Sequence, residues 1–203
     1  MSEYAEIIRK TFSMGDFERD KNNQIPQDVV RYTDIRYANH DEKWNLLDAY
    51  RPKDINGKLP VIMSVHGGGW VYGDKELYQF YGMTLAQRGF AVVNFTYRLA
   101  PEAKFPAPLE DTNNVIRWMY ENQEEYGLDM DHVFMVGDSA GGHLCGLYSA
   151  ICTNPEYAVN YAFKVPNGFV PQAVALNCGA YNPLSEVGVL GDEQDQELMG
   201  DFL

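Results

Sequence analysis

The sequence has few cysteines, few positive charges and no long apolar run, and each shortage excludes a class of protein. Its three cysteines, Cys145, Cys152 and Cys178, form neither a disulfide framework nor a zinc pattern. We expect them to be buried free thiols, which suits a cytoplasmic protein. The 16 Lys and Arg residues against 29 Asp and Glu give a net charge of -13, which argues against binding nucleic acid. No run approaches the roughly 18 apolar residues of a membrane helix, and the charged N-terminus has no export signal.

Apolar runs alternate with amphipathic segments over residues 31–181, which we predict to be the core of one domain. The predicted strands are 32–38, 44–51, 61–65, 90–97, 133–136 and 172–177, and the predicted helices are 77–88, 108–126 and 140–151. Strands that are apolar on both faces and separated by helices indicate an α/β fold. Its sheet should be mostly parallel, with helices on both faces.

The two ends of the chain are predicted to lie outside this core. Residues 1–30 should form a helix at 3–13 followed by an irregular polar segment at 14–30, together an N-terminal cap segment. Residues 182–203 are an acidic tail with one helix near 193–199, which we expect to begin a cap or crossover helix.

A glycine-flanked serine lies between a predicted strand and a predicted helix. The segment Gly137-Asp138-Ser139-Ala140-Gly141 follows the strand 133–136 and opens the helix 140–151. This G-x-S-x-G pattern, in this context, is typical of a serine nucleophile on a sharp, strained turn. Glycines remove side chains that would clash there, and the helix N-terminus favours a developing oxyanion. Ser139 is therefore the candidate nucleophile. A plain glycine-rich helix entry is the disfavoured alternative.

A glycine run follows another predicted strand. His66-Gly67-Gly68-Gly69-Trp70 comes directly after 61–65, and such a run supplies further N–H donors to a hydrolase oxyanion hole. The donors should be Gly67 and Gly68, joined by Ala140, with the N–H groups of Gly68 and Ala140 converging on one point. The alternative is a plain glycine turn. We expect His66 to orient the loop. Trp70 should either wall the acyl pocket or pack in the core.

Together with YRLAPE at 97–102 and FPAP at 105–108, these motifs resemble the hormone-sensitive-lipase-like family of α/β-hydrolase esterases over residues 30–180. The resemblance implies an α/β-hydrolase fold and a carboxylic-ester hydrolase that acts through an acyl-enzyme on Ser139. It implies that the N-terminal helix forms part of a cap, that a small ester is the substrate, and that no metal or organic cofactor takes part.

Two charged residues near these motifs have expected structural roles. Arg98 should pair with Glu110 or Asp111 and fix the YRLAPE loop. Asp138, beside the nucleophile, should accept hydrogen bonds from nearby backbone.

The partners of a catalytic serine are hard to find in this sequence. Acyl transfer needs a base and an orienting carboxylate, and both follow the serine in this fold. The histidines are His40, His66, His132 and His143. Only His143 follows Ser139, four residues on in the same predicted helix, where it is held too close to act as the base. The tail carboxylates Asp192, Asp195 and Asp201 follow no apolar strand. Relative to the family, the expectation is a sequence truncated after the strand 172–177, whose exposed edge would favour self-association.

The favoured hypothesis is a serine esterase acting on short acyl esters. A non-catalytic binding module that retains the pocket is the second hypothesis, and a serine peptidase of the same fold is a weaker third. The coding sequence beyond Leu203 would discriminate the first two.

Overall fold

A six-stranded sheet with helices on both faces forms the frame of the protein. The structure is a computed structural model that describes residues 2–39, 43–181 and 193–203. The strands lie side by side in the order β1-β2-β4-β3-β5-β6. They are β1 (Val29–Arg36), β2 (Leu46–Pro52), β3 (Leu59–Val65), β4 (Ala91–Phe95), β5 (Leu128–Asp138) and β6 (Ala173–Asn177).

The strand directions bring three chain segments to one edge of the sheet. β1, β2 and β4 pair antiparallel, whereas β4, β3, β5 and β6 pair parallel. Val65 at the end of β3 lies opposite Gly137 of β5, and Gly137 in turn lies opposite Leu176 of β6. The segments that follow β3, β5 and β6 therefore leave the sheet next to one another, where ligands bind in open α/β sheets.

Six helices are described. They are α1 (Glu3–Asp20), α2 (Gln79–Ala86), α3 (Ala107–Tyr126), α4 (Ala140–Thr153), α5 (Pro155–Ala158) and α6 (Glu193–Phe202). A 3₁₀ turn, Lys75–Tyr78, leads into α2. The predicted fold class is confirmed, and the predicted helices and strands of the core are present with shifted ends.

The expectation of an irregular segment at 14–30 holds for 21–28 and is wrong at both ends. Helix α1 continues to Asp20, and β1 already begins at Val29. Two long-range contacts support the extra turns: Tyr72 donates its hydroxyl to Asp16 at 2.8 Å, and Arg19 donates to the carbonyl of Leu77 at 2.8 Å. The polar residues of this stretch resemble a solvated loop because these contacts are not visible in the local sequence.

The core has two parts, one on each face of the sheet. The larger apolar cluster includes Met63 and Val93 of the sheet together with Ile116 of α3 and Leu144 of α4. The smaller one joins Met83 of α2 to residues of β2 and β4. Strand β6 belongs to neither, because all five of its residues are exposed. β6 pairs only with β5 among the described strands, so the exposed edge expected at 172–177 is present.

The three cysteines are free, but they differ in burial. Cys145 is buried, Cys152 is half-buried and Cys178 is exposed. The expectation of buried thiols thus holds for Cys145 and is wrong for Cys178, which lies just after β6 at the edge of the sheet.

Candidate active site

Ser139 lies at the tip of a tight turn between β5 and α4. Its backbone has φ 48° and ψ -119°, a conformation that a residue with a side chain adopts only under strain. Two backbone hydrogen bonds hold it there: the Ser139 N–H donates to Asn177 of β6 at 2.9 Å, and the Ser139 carbonyl accepts from His143 at 3.0 Å. The side chain is exposed. The strained strand-to-helix turn predicted from the sequence is present.

Glycines permit this turn because backbone fills the space where side chains would be. A Cβ atom on Gly137 would lie 2.4 Å from the backbone of Gly141, and one on Gly141 would lie 2.1 Å from the carbonyl oxygen of Val65. Neither contact is physically attainable. Helix α4 therefore begins directly against the end of β3, beside the glycine run.

His66 fixes the first peptide of the glycine run. The side chain is fully buried and stacks on Tyr97 with ring centroids 4.0 Å apart. Its Nδ1 atom lies 2.7 Å from the carbonyl oxygen of Gly67. Because a carbonyl oxygen only accepts, Nδ1 must carry the proton. Burial lowers the pKa of His66 to about 4, so the ring is neutral and acts as a single donor. The expected orienting role of His66 agrees with this contact.

Pinned carbonyls determine where the N–H groups of the loop point. In a trans peptide the C=O and N–H groups point in opposite directions. His66 binds the carbonyl of Gly67, so the Gly68 N–H points away from the His66 ring. The carbonyl of Gly68 accepts from Val71 at 3.3 Å and Tyr72 at 3.0 Å, which turns the Gly69 N–H away from them.

The N–H groups of Gly68, Gly69 and Ala140, all at this edge, have no hydrogen-bond partner among the described residues. Ala140 is unpaired because it opens helix α4, whose first N–H groups lack intrahelical acceptors. The Gly67 N–H differs, since it donates to the Tyr78 hydroxyl at 3.3 Å. Of the sequence-predicted donors, Gly68 and Ala140 are thus available and Gly67 is engaged elsewhere. Gly69 is a further available donor that sequence reasoning did not select.

Asp138 makes a side-chain contact rather than the expected backbone contacts. Its Oδ1 atom accepts a hydrogen bond of 2.5 Å from the Tyr78 hydroxyl, 60 positions away in the sequence. The other carboxylate oxygen, Oδ2, lies 2.9 Å from where a Cβ on Gly67 would be. The expectation for Asp138 is corrected accordingly. Tyr78 itself was not selected from the sequence, because no local motif marks it.

Trp70 and His143 form a buried pair beside the nucleophile turn. The Trp70 indole donates to Nδ1 of His143 at 3.2 Å, and burial lowers the pKa of His143 to about 4. A neutral imidazole has one acceptor nitrogen, and here that nitrogen already accepts the hydrogen bond from the Trp70 indole N–H. His143 is therefore engaged as a packed residue, and Trp70 has the packing role of the two alternatives given for it.

Of the two remaining histidines, the structure describes only His132. His132 is exposed at the surface and pairs with Asp129 at 2.8 Å, and His40 lies outside the described residues. Within the described chain the Ser139 hydroxyl makes no hydrogen bond. No group of three or more described His, Cys, Asp or Glu side chains could hold a metal ion.

Helices α1 and α6 pack together above the glycine loop. Phe202 of α6 is buried and stacks on Trp70, with ring centroids 4.5 Å apart. The N–H of Ser2 donates to Asp201 of α6 at 2.8 Å, and Arg9 of α1 donates to the carbonyl of Val71 at 2.7 Å. The described part of the tail thus packs against the N-terminal segment of the chain.

The YRLAPE loop is fixed by an ion pair. Arg98 bonds to buried Asp111 at 3.0 Å and to Glu110 at 2.8 Å, so the expectation of an Arg98 pairing with either residue is met by both. A cavity of about 430 Å³ lies below this edge on the α2 side of the sheet. Asp138 and Tyr78 line it, but Ser139 does not.

Comparison with known proteins places the chain in a family. A family model described as BD-FAE matches residues 47–183, more than half of the chain. The chain belongs to this family. Together with the esterases below, the match identifies the protein as an α/β-hydrolase that resembles the hormone-sensitive-lipase-like esterases.

Individual relatives of this α/β-hydrolase are named as esterases. The chain is 34% identical to esterase LipC of Mycobacterium tuberculosis over 119 residues, which is 58% of this chain and 30% of that protein. It is 38% identical to versiconal hemiacetal acetate esterase of Dothistroma septosporum over 96 residues, which is 47% of this chain and 29% of that protein. The matched regions thus span about a third of these relatives' lengths.

A solved structure of esterase B from Lactobacillus rhamnosis, inhibited by a tributyrin phosphonate, matches the whole chain. The TM-score is 0.88 at 29% identity, and the match covers 100% of this chain and 66% of that one. The esterase from Pyrobaculum calidifontis matches with a TM-score of 0.74 at 26% identity, covering 98% of this chain and 65% of that one. Among the described helices, none has the length and apolar character to cross a membrane.

Proposed function

We propose that this protein hydrolyses carboxylic esters through an acyl-enzyme formed on Ser139. One observation carries the proposal: an exposed, strained serine lies at the same sheet edge as the unpaired N–H groups of Gly68, Gly69 and Ala140. Ester hydrolysis needs these two parts, a nucleophile and donors for the charge that develops on the carbonyl oxygen. The esterase names of the relatives support the same reaction class.

In the proposed reaction, the Ser139 oxygen bonds to the ester carbonyl carbon and its proton passes to a base. The carbonyl oxygen becomes an oxyanion, which accepts hydrogen bonds from Gly68 and Ala140, with Gly69 in place of the initially expected Gly67. The C–O bond to the alcohol then breaks, and the alcohol leaves with a proton. Water repeats the attack on the acyl-enzyme and releases the acid.

The remaining residues of the site have supporting roles in this proposal. His66 orients the glycine run, and Gly137 and Gly141 allow the turn on which Ser139 lies. Trp70 packs beneath the cap. No described histidine serves as the base. We therefore propose that the base and its orienting carboxylate are residues other than those that the structure describes.

The test is an assay with chromogenic acyl esters. Acetate and butyrate esters come first, because one relative is named for an acetate ester and another was solved with a tributyrin phosphonate. The assay uses the 203-residue chain and, in parallel, the product of any reading frame that continues beyond Leu203. We expect Ser139→Ala to lower turnover by at least about 10³-fold, as removal of a nucleophile does elsewhere.

Ser149→Ala is the matched control. Ser149 lies in the same helix and donates its hydroxyl to the carbonyl of Cys145 at 2.7 Å, so its removal should leave turnover unchanged. Turnover that survives Ser139→Ala would refute the nucleophile assignment. If no ester is hydrolysed by either protein while a small ligand still binds, the chain is a binding module on a hydrolase frame.

A further inference from the structure

Tyr78 joins the two halves of the candidate oxyanion hole. Its hydroxyl accepts the N–H of Gly67 at 3.3 Å and donates to Asp138 at 2.5 Å. Gly67 belongs to the glycine run after β3, and Asp138 is the last residue of β5, directly before Ser139. A tyrosine hydroxyl has one proton to donate and lone pairs to accept with, so both bonds form at once through the same oxygen.

The protonation state that this bridge needs is secure. Burial is the larger cause and the hydrogen bond to Asp138 the smaller one of a pKa of Tyr78 well above its usual range. A raised pKa keeps the hydroxyl neutral throughout the ordinary working range of pH. Tyr78 therefore remains a donor to Asp138 and does not become a second negative charge there.

The segment that bears Tyr78 is anchored to the rest of the molecule. Lys75, in the same 3₁₀ turn, is buried and forms an ion pair with buried Asp48 of β2 at 2.9 Å. Asp74 caps the turn by accepting from the Leu77 N–H at 3.2 Å. The Leu77 carbonyl accepts from Arg19 of α1 at 2.8 Å. Because sheet, turn and cap segment all hold this segment, the hydroxyl is presented at a fixed point.

We infer that Tyr78 is a positioning residue that sets the distance between the N–H groups after Gly67 and the nucleophile turn. The inference rests on the proposed ester hydrolysis. Gly67 has no side chain with which to hold its place, and a Cβ there would meet Asp138 at 2.9 Å. Van der Waals contact sets only the lower limit of the distance between the two loops, and the Tyr78 bridge holds them at that distance. The Tyr78 bridge also sets their lateral alignment, on which the aim of Gly68 towards the oxyanion depends.

The kinetic test compares Tyr78→Phe with Tyr81→Phe. Tyr81 is one turn further along and its ring contacts that of Tyr78, but its hydroxyl makes no hydrogen bond among the described residues. We expect Tyr78→Phe to lower kcat about tenfold with KM nearly unchanged, the size of one hydrogen bond to a charged group. Tyr81→Phe should leave both kcat and KM unchanged. Equal losses in the two variants, or a loss confined to KM, would overturn the inference.

A second readout separates positioning from general stability. The ratio of kcat/KM for an ester to that for its thiono analogue, with sulfur in place of the carbonyl oxygen, reports how strongly the donors recognise an oxyanion. Misaligned donors discriminate less between oxygen and sulfur, so the ratio should fall in Tyr78→Phe. A merely destabilised enzyme loses active molecules and keeps the ratio.

Amide spectra of the 203-residue chain test the bridge without any activity. In the unmutated chain the Gly67 N–H should exchange with solvent more slowly than that of Gly68, and this needs no variant to fold. Tyr78→Phe should remove the protection and shift the Gly68 and Ala140 resonances, whereas Tyr81→Phe should not. Equal exchange at Gly67 and Gly68 would overturn the inference. A chain that shows this protection but hydrolyses no ester would refute the proposed function alone.

Discussion

At the scale of single residues, the nucleophile turn requires glycine at positions 137 and 141, because backbone atoms occupy the space where a Cβ atom would lie. A backbone obstacle cannot rotate away as a side chain can, so an added methyl group must move a whole segment. At Gly141 the obstacle is the carbonyl oxygen of Val65, 2.1 Å from the position of a Cβ. Gly15, in α1, is the opposite case, because nothing lies within 4 Å of its Cβ position.

Gly141→Ala and Gly15→Ala should therefore change stability in opposite directions. We expect Gly141→Ala to lower the free energy of unfolding by about 2–3 kcal/mol or more, as overpacking does. Gly15→Ala should raise it by up to about 1 kcal/mol, because alanine is the better helix former. Urea unfolding of both variants measures this difference. A Gly141→Ala variant as stable as the unmutated chain would mean that α4 does not begin against β3.

The sequence predicts the glycine run as a unit but does not distinguish its members. Gly67, Gly68 and Gly69 are chemically identical and consecutive, so each is an equally good donor on paper. The directions of their N–H groups depend on the hydrogen bonds of the neighbouring carbonyls. His66 donates to the carbonyl of Gly67, and Val71 and Tyr72 donate to the carbonyl of Gly68. The role of Gly67 is likewise decided by Tyr78, a contact between residues 11 positions apart.

At the scale of elements, helices α4 and α6 enclose a histidine that is held neutral. His143 of α4 accepts a hydrogen bond from the Trp70 indole N–H and contacts the ring of Phe202 of α6, with centroids 6.1 Å apart. Burial lowers the pKa of His143 from 6.5 to about 4. In the unfolded chain the same histidine binds a proton near pH 6.5, so the unfolded state gains protons first as the pH falls.

This arrangement should make the fold weaken between about pH 6.5 and pH 4. In that window the unfolded state holds a proton that the folded state lacks, so the contribution of His143 to stability decreases as the pH falls and is constant below about pH 4. The shift corresponds to roughly 3 kcal/mol for His143. His143→Asn keeps an acceptor for Trp70 but removes the titration, so its unfolding free energy should depend less on pH.

Chemical unfolding at pH 7, 5.5 and 4.5 tests this expectation. His132→Asn is the control, because its ring lies at the surface with a side chain that is 61% exposed. A pH dependence in His143→Asn equal to that of the control would show that His143 is not held neutral by burial. His66, whose pKa is also lowered to about 4, should account for part of the remaining slope.

The ends of elements were harder to predict than their presence. The predicted start of helix α3 is only one residue too late, because Pro108 and the apolar spacing mark this helix in the local sequence. Helix α1 extends seven residues beyond the predicted end at 13, to Asp20. Its last turns are polar, and contacts with Tyr72 and Leu77 support them. The local sequence pattern thus predicts a helix end where the helix's own apolar face stabilises it. The pattern fails where contacts with distant residues stabilise the end.

At the scale of the whole molecule, the parallel register of β3, β5 and β6 turns separate motifs into one site. The glycine run and the serine turn are about 70 positions apart in the sequence, yet Val65 and Gly137 are opposite each other in the sheet. A parallel sheet brings the carboxyl ends of its strands to one edge, whereas the order that makes β3 and β5 neighbours was not predicted from the sequence. The exposed edge of β6 agrees with the expectation from the sequence, although its Ala173–Leu176 run is as apolar as a buried strand.

That exposed strand leads to the last prediction, self-association of the 203-residue chain. Among the described residues β6 pairs with β5 alone, and its Val174 and Leu176 side chains are each 38% exposed. An apolar strand with one unpaired edge can add a strand from another copy, which a lysine on that edge prevents. We therefore expect the purified chain to elute from size exclusion as an oligomer by light scattering, and Val174→Lys to shift it to the monomer. Val159→Lys is the matched control, because Val159 is 81% exposed away from the sheet. A monomeric unmutated chain, or equal effects of the two lysines, would contradict association through β6.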